Sequence, residues 1–267
     1  MRGQRGGKSK QVKKGIIKYN VTMNKTILIL SIFAIIASGC GQRSNKQTNT
    51  TDVSQSEIDD INSAEIIQTR TSDFITLELD FGFKVTATVI EEFIPTLKLY
   101  EHFRLERNGN IIFSDSLLEF EFRNKLFPIV LRTGSNSFEL LFEVNHRPSK
   151  NYLLRLFVSN DKLVGQDKLP TFEAKPIDIN DDGIKEYAGS FNYFQRWGEN
   201  YSLTTYNPIL YYSVTETGLK LDSILTKQRN EIIYGQFYGF SYSEKYEIPV
   251  SVIENFEQEL KLIKGER

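Results

Sequence analysis

Apolar and polar residues alternate with a period near two through the middle of this chain, and this pattern restricts the fold more than any other feature. It runs through Ile75–Phe81 and again through Lys84–Ile90. A strand with one buried face needs this spacing, because successive side chains point to opposite faces of the sheet. Tyr and Phe, which favour strands, supply nearly all of the 12% aromatic residues. The chain is therefore predicted to be mostly β.

Other segments continue the pattern and are separated by turn residues. A candidate strand at 97–106 is followed by Asn108 and Gly109, which tolerate positive φ and predict a tight hairpin returning through 111–113. Further strands are predicted at 137–144, 152–159, 187–194, 201–205, 209–214 and 218–222. Short strands joined in this way predict antiparallel, sandwich-like sheets.

Two helices are predicted towards the C-terminus. The segment 222–234 would place Leu225, Gln228 and Ile232 on one face. The segment 251–264 begins with Ser251 and Glu254, the spacing of a capping box. Its apolar stripe consists of Val252, Phe256, Leu260 and Ile263. Such a stripe is typical of a helix that packs on a sheet, so a C-terminal helix is expected to cover one sheet face.

The charge of the chain is divided unevenly along its length. The formal net charge is −1, but residues 1–39 contain eight Lys or Arg and no acid. Residues 40–267 therefore hold 25 basic residues against 34 acidic ones, a net charge of −9. Nucleic-acid binding needs a basic surface. The net negative charge of residues 40–267 therefore argues against nucleic acid as a partner.

A short apolar run, Ile27–Ala37, follows Lys25. At 1.5 Å per residue it is too short to cross about 30 Å of hydrocarbon with ease, and its length is that of a signal-peptide core. The rival interpretations are a buried core helix and a membrane-spanning anchor. The chain becomes strongly polar directly after Cys40, which favours the signal peptide.

The residues Ala37-Ser38-Gly39-Cys40 resemble the lipobox of bacterial lipoproteins. The resemblance implies that a diacylglycerol is transferred to the Cys40 thiol and that the protein is held in the cell envelope. Ala37 stands where that family usually has Leu. Cys40 is the only cysteine, and acylation would consume a thiol that is otherwise a liability in an oxidising compartment. In its signal, in the polar segment that follows and in its composition, the chain is similar to lipoproteins of Bacteroidota.

This interpretation divides the chain into three parts. Residues 1–39 would be the signal peptide, with Met23 as the expected true start and 1–22 as a gene-call extension. Residues 40–65 would be a lipidated flexible tether, since they are too polar to order themselves. Residues 66–267 would be a β-rich body of one lobe, or of two lobes dividing near 168–175. The absence of acids in Gly41–Lys46 favours the periplasmic face of the outer membrane, and the body is expected to be a monomer.

A calcium-type loop stands out within the body. Its oxygen-bearing positions alternate, and Gly183 permits a sharp bend. The candidate ligands are Asp178, Asn180, Asp182, the carbonyl of Ile184, and Glu186. Calcium prefers such oxygen ligands. The loop resembles the calcium loops of integrin-type β-propeller repeats, which implies that Glu186 is the last ligand. An EF-hand would need an acid where Gly189 stands. A metal-free turn, in which the acids accept backbone N–H bonds, remains the alternative.

An aromatic run follows this loop, and it has two interpretations. Its members are Phe191, Tyr193, Phe194, Trp197, Tyr201, Tyr206, Tyr211 and Tyr212. Tyr193, Trp197 and Tyr201 are candidates for stacking on sugar rings. The alternative is that the aromatic residues are alternating strand positions that fill a core. The direction in which these side chains point decides between the two.

Most catalytic patterns are missing from the sequence. It contains only His102 and His146, and it has no Gly-x-Ser-x-Gly, His-Glu-x-x-His or phosphate-binding glycine loop. Glu119 and Glu121 could form a carboxylate pair, but a solvated strand face is the expected role for both. No catalytic residue is assigned, and calcium is the one candidate cofactor. We therefore expect a non-enzymatic binding or scaffolding module, with a glycan-binding accessory protein and a hydrolase as alternatives.

Overall fold

The computed structural model describes residues 69–71, 74–90, 98–122 and 126–266. The predicted signal peptide, Cys40 and the whole of the predicted tether lie outside these residues. The described strands are β1 (Thr69–Thr71), β2 (Phe74–Leu79), β3 (Phe83–Val89), β4 (Leu99–Arg107), β5 (Asn110–Asp115), β6 (Phe120–Glu121), β7 (Ile129–Gly134), β8 (Ser137–Val144), β9 (Tyr152–Ser159), β10 (Lys162–Pro170), β11 (Glu186–Gly189), β12 (Arg196–Trp197), β13 (Leu203–Tyr206), β14 (Leu210–Thr215), β15 (Gly218–Leu221) and β16 (Ser243–Pro249). Two helices, α1 (Ser223–Tyr234) and α2 (Val252–Ile263), and 3-10 turns at Asp80–Gly82 and Glu199–Tyr201 complete the fold.

In the described part of the chain, ten strands form one antiparallel sheet in the order β1-β2-β3-β4-β6-β8-β9-β10. β5 lies beside β4, and β7 lies beside β8. The two-residue strand β6 lies in the middle of this sheet and joins its two halves. It pairs with the start of β4 on one side and with Val144 of β8 on the other. One half is therefore β1–β5, and the other is β7–β10.

The large sheet is folded so that its two halves face each other. Phe83 on β3 and Phe138 on β8 meet edge to face, with ring centroids 5.2 Å apart. The two strands are three ladder steps apart, which would separate them by about 14 Å in a flat sheet. Phe103 on β4 similarly meets Phe142 on β8 at 4.9 Å. These contacts form the first core and confirm the predicted sandwich-like packing.

β8 and β9 are buried on both faces. Leu140 and Leu156 point into the first core, whereas Leu141 and Leu153 point into a second core on the opposite face. This explains why these two strands are nearly continuous apolar runs instead of alternating ones. They are the shared wall between two cores.

The remaining strands and the helices cover the far side of that wall. A three-stranded sheet, β11-β14-β15, closes the second core with residues such as Tyr187 and Leu210. Its other face contributes Ala188 and Tyr211 to a third core, which is completed by both helices and by a second small sheet, β12-β13-β16. The mostly β, antiparallel fold with a C-terminal helix is thus confirmed.

Helix α1 occupies the predicted segment, but the predicted face is wrong. Asp222 caps the helix by accepting a hydrogen bond from the Leu225 backbone N–H at 2.8 Å, and Gly235 ends it in a left-handed conformation. Leu225 is buried as expected, whereas Gln228 and Ile232 are exposed. The buried face also carries two polar residues, Thr226 and Asn230, which an apolar pattern cannot reveal.

Helix α2 also lies where it was predicted. Val252, Phe256 and Ile263 are buried, and Leu260 packs against the third core. The predicted capping box is wrong, because Ser251 already has helical angles and its side chain makes no cap hydrogen bond. Its backbone carbonyl accepts the Glu254 N–H instead.

Strands with weak alternation escaped the sequence analysis. β1, β7, β10, β12 and β16 were not predicted. β10 is an edge strand with mostly exposed residues, which gives it little apolar pattern. The strand predicted at 187–194 ends at Gly189, so its second half is wrong. The division of the body into two lobes near 168–175 stays a prediction. The large sheet ends at Pro170, and the second core contains residues from both sides of that point.

Candidate functional site

A half-open pocket of about 310 Å³ lies at the turn between β8 and β9. Every residue of its lining carries a polar or charged group. The residues are Glu121, Glu143, Arg147, Lys150, Asn151, Thr171 and Tyr193. They come from five separate stretches of chain, so the pocket exists only in the folded protein. Convergent polar groups in a concave site are the usual form of a ligand-binding pocket.

Two buried carboxylates meet at one amide in this pocket. The Asn151 side-chain N–H₂ donates to Glu121 Oε2 at 2.7 Å and to Glu143 Oε1 at 3.1 Å. Glu121 is 3% exposed and Glu143 is 7% exposed. The expectation that Glu121 lies on a solvated strand face is therefore wrong. β6 is covered because it joins the two halves of the large sheet.

Two cations line the same pocket, one beside Glu121 and the other paired with a third carboxylate, Glu173. Arg147 Nη2 lies 3.6 Å from Glu121 Oε1 and keeps nearly half of its side-chain surface exposed. Lys150 Nζ donates to Glu173 Oε1 at 2.6 Å and to Ser190 Oγ at 3.1 Å. The pocket therefore offers hydrogen-bond donors and acceptors side by side.

The three candidate stacking residues differ in exposure and position, and only Tyr193 lines the pocket. Tyr193 is 61% exposed and lines the pocket. Trp197 is half-buried on β12, and Tyr201 is 70% exposed on the 3-10 turn that follows. The rest of the aromatic run points inward: Tyr206, Tyr211 and Tyr212 are buried, and Phe191 and Phe194 pack against the cores.

Sequence reasoning missed most of the pocket. Glu143 was hidden inside a strand segment that is otherwise apolar, and Asn151 lies in a turn where amides are common. A charged residue within such a run, close to a polar turn, is the signal that could have pointed to the site. Arg147 was interpreted only as part of a loop. The two histidines lie outside the lining and are exposed.

The calcium-type loop has a defined shape. Asp178 accepts hydrogen bonds from the Asp182 and Gly183 backbone N–H groups at 3.1 and 2.8 Å. Asp182 Oδ1 accepts from the Ile184 N–H at 2.8 Å, and Asn180 Nδ2 donates to Asp182 Oδ2 at 2.8 Å. Gly183 has φ of +86°, which the bend requires. The loop is closed by paired backbone bonds between Ile177 and Glu186.

The last candidate ligand, Glu186, differs from the others in burial. It is 1% exposed, while Asn180, Asp182 and Ile184 are exposed and Asp178 is half-buried. Glu186 Oε2 accepts the Ile179 N–H at 3.2 Å. Burial raises the pKa of the Glu186 carboxyl to about 7, and the nearby Asp182 and Asp178 carboxylates add to the rise. Among the described residues, no three His, Cys, Asp or Glu side chains already stand together as a metal site.

Comparisons with protein-family models, with curated proteins and with solved structures give no match to this chain. No helix of the described residues is long and apolar enough to cross a membrane. The function must therefore be argued from the site itself.

Proposed function

We propose that this chain is a lipid-anchored envelope lipoprotein that acts as a non-enzymatic binding module, with its ligand held in the pocket at the β8–β9 turn. The observation that supports this most is the convergence of Glu121 and Glu143 on Asn151 beside Arg147 and Lys150. Buried polar groups held in fixed positions can recognise a polar ligand with little reorganisation.

Binding is favoured over catalysis by the kinds of groups in the lining. It contains no histidine, serine or cysteine, and the hydroxyl of Thr171 donates to the Asn151 carbonyl at 2.8 Å. A serine or cysteine nucleophile activated by a histidine, one common arrangement for covalent catalysis, is thus not present in the lining. A hydrolase that uses Glu121 and Glu143 is the alternative that turnover of a bound probe would reveal.

A glycan is the ligand class that the pocket fits best. Carboxylate and amide oxygens accept hydrogen bonds from sugar hydroxyls, while Arg147 and Lys150 can donate to ring and carboxyl oxygens. Tyr193 presents an exposed aromatic ring at the same pocket, and aromatic faces pack against the apolar faces of sugar rings. This favours the glycan-binding accessory role among the alternatives.

The location is part of the same proposal. A lipid on Cys40 would hold the protein at the periplasmic face of the outer membrane, and residues 40–65 would give the body reach as a flexible tether. The acidic body supports a partner other than nucleic acid. We propose that the body works as a monomer.

Saturation-transfer NMR with the full chain tests the pocket directly. The probes are N,N′-diacetylchitobiose, cellobiose and glucuronic acid, each at millimolar concentration. We expect transfer from the protein to at least one probe, and loss of it in Tyr193→Ala and Asn151→Ala. Tyr201→Ala removes an equally exposed tyrosine that does not line the pocket, and it should keep the signal.

Three outcomes would count against the proposal. Loss of transfer in Tyr201→Ala with retention in Tyr193→Ala would move binding to the surface near the 3-10 turn. Absence of transfer to every probe would contradict the proposal that the ligand is a glycan. Cleavage of N,N′-diacetylchitobiose or cellobiose, abolished by Glu121→Gln or Glu143→Gln, would make the protein a hydrolase.

A further inference from the structure

We propose that the loop 178–186 is a calcium site in which Glu186 is the buried ligand and Asp178, Asn180 and Asp182 are the outer ligands. This site is separate from the pocket, and its proposal does not depend on the function argued above. The role of the ion would be structural, because the loop joins two antiparallel arms of the chain and no pocket residue belongs to it.

The main observation is an oxygen atom without a partner. Glu186 Oε1 is buried and makes no hydrogen bond among the described residues, although its partner oxygen accepts the Ile179 N–H. Leaving a buried carboxylate oxygen unsatisfied is costly, so folded proteins nearly always supply it with a donor or a cation. Ile179 lies inside the loop, so the hydrogen bond from its N–H fixes the carboxylate on the inner side.

The other candidate ligands are oxygen donors on the same loop, and the exposed ones would rotate to complete the site, because no three acidic side chains of the described residues already stand together. Asp178 already shapes the turn through its bonds to two backbone N–H groups. Asn180 and Asp182 are exposed at the tip, so their side chains can rotate towards the ion without disturbing a core. Calcium accepts such a flexible set of carboxylate, amide and carbonyl oxygens.

The position of the loop explains what the ion would stabilise. The loop is the tip of a hairpin whose arms are bridged at Ile177–Glu186 and again at Phe172–Gly189. The arms approach so closely that a Cβ at Gly189 would lie 2.2 Å from the Thr171 carbonyl oxygen. An ion at the tip would fasten the two arms where they are farthest from the second core.

Calorimetric titration of CaCl₂ into the full chain, together with thermal unfolding, tests the site. At a hundredfold excess of calcium over its Kd, we expect the Tm to rise by about 5–10 °C. At the same calcium concentration, Glu186→Gln and Asp178→Asn should each bind calcium at least tenfold more weakly and lose about half of the rise or more. If Glu186→Gln fails to fold, Asp178→Asn still decides the matter.

Asp181→Asn is the matched control. Asp181 lies in the same loop and carries the same charge, but it occupies none of the ligand positions; its positive φ of 59° suits Asn equally well. It should keep both the affinity and the rise in Tm. Three results would overturn the site: no calorimetric binding at millimolar calcium, an equal Tm rise with NaCl of matched ionic strength, or an equal loss in Asp181→Asn. Each of these results leaves the NMR test of the pocket unaffected.

Discussion

Arg155 forms a buried, two-pronged ion pair with Glu139 on the face of β8 and β9 that looks into the second core. Its Nε and Nη2 donate to the two carboxylate oxygens of Glu139 at 3.1 and 2.7 Å. Both side chains also bond to Leu219: Arg155 donates to its carbonyl at 2.7 Å, and Glu139 accepts its N–H at 3.0 Å. The ion pair therefore connects β15 to β8 and β9 through side-chain hydrogen bonds to the Leu219 backbone.

Arg155→Met should strongly destabilise the protein. The substitution removes the guanidinium that pairs with the buried Glu139 carboxylate and donates to the Leu219 carbonyl, which costs about 3–5 kcal/mol in the free energy of unfolding. Chemical denaturation measures it. Arg104→Met, which removes the partner of Glu106 in a pair that is more exposed than the buried one, should cost less than about 1 kcal/mol. Equal losses in the two variants would contradict the role of the buried pair.

Gly218→Ala should cost more than the same change at Gly109. Both glycines have positive φ, 103° and 77°, so each alanine is strained by about 1–2 kcal/mol. At Gly109 the new Cβ would meet nothing within 4 Å, whereas at Gly218 it would lie 1.9 Å from Glu139 Oε1. We expect an additional loss of about 1–3 kcal/mol at Gly218 from this overlap. Denaturation curves of the two variants that coincide would show that the glycine is not needed for the close approach.

Asn230→Asp should destabilise the protein at least as much as Asn230→Ala. The buried Asn230 amide accepts the Ile209 N–H at 3.0 Å and donates to the carbonyls of Ile209 and Thr226, both at 2.7 Å. A carboxylate would face two carbonyl oxygens with no proton to offer, and each lost buried partner costs about 1–3 kcal/mol. Asn255→Ala, which removes an amide from an exposed position, should cost well under half as much in the same denaturation experiment.

Tyr212→Phe should weaken the loss of stability at high pH. Burial, reinforced by Asp167, raises the pKa of Tyr212 to about 12, above the ordinary value of 10.0. Between pH 10 and 12 the unfolded chain loses this proton while the folded protein keeps it, so stability falls by about 1.4 kcal/mol per pH unit for this group. Unfolding free energies measured from pH 9 to 12 should fall less steeply in Tyr212→Phe. An unchanged slope would mean that the phenol ionises freely in the folded state.

Cys40→Ser should abolish lipid attachment. If the thiol receives a diacylglycerol, cells fed an alkyne-tagged fatty acid will label the wild-type protein, and the serine variant will stay unlabelled and unprocessed. Membrane partition of the two forms gives an independent readout. An unlabelled wild-type protein would contradict the lipid anchor. Digestion of the protein when intact cells are treated with protease would place it on the outer surface.

The local pattern was sufficient for much of the secondary structure. β8 and β9 begin and end where they were predicted, and both helices were placed to within a residue or two. These elements have strong apolar periods or turn residues at their ends, which act over a few neighbouring positions. The edge strand β10 and the buried polar face of α1 have no such signature.

The calcium-type loop was found from the sequence for the same reason. Its candidate ligands lie within nine consecutive residues, so their spacing alone describes the geometry of the turn. The pocket could not be found in this way. Glu121, Glu143 and Asn151 come from different strands and turns, and Tyr193 lies far along the chain. Their meeting depends on how the large sheet folds and on what covers it.

By itself, the sequence determined most of the strand segments and both helices, because side-chain alternation and turn-forming residues are local effects. Only the tertiary structure decided that β8 and β9 separate two cores, that their charged residues are buried, and that the polar groups of five segments converge on one pocket. Burial and long-range pairing depend on the whole packed arrangement, and no short stretch of chain contains that information.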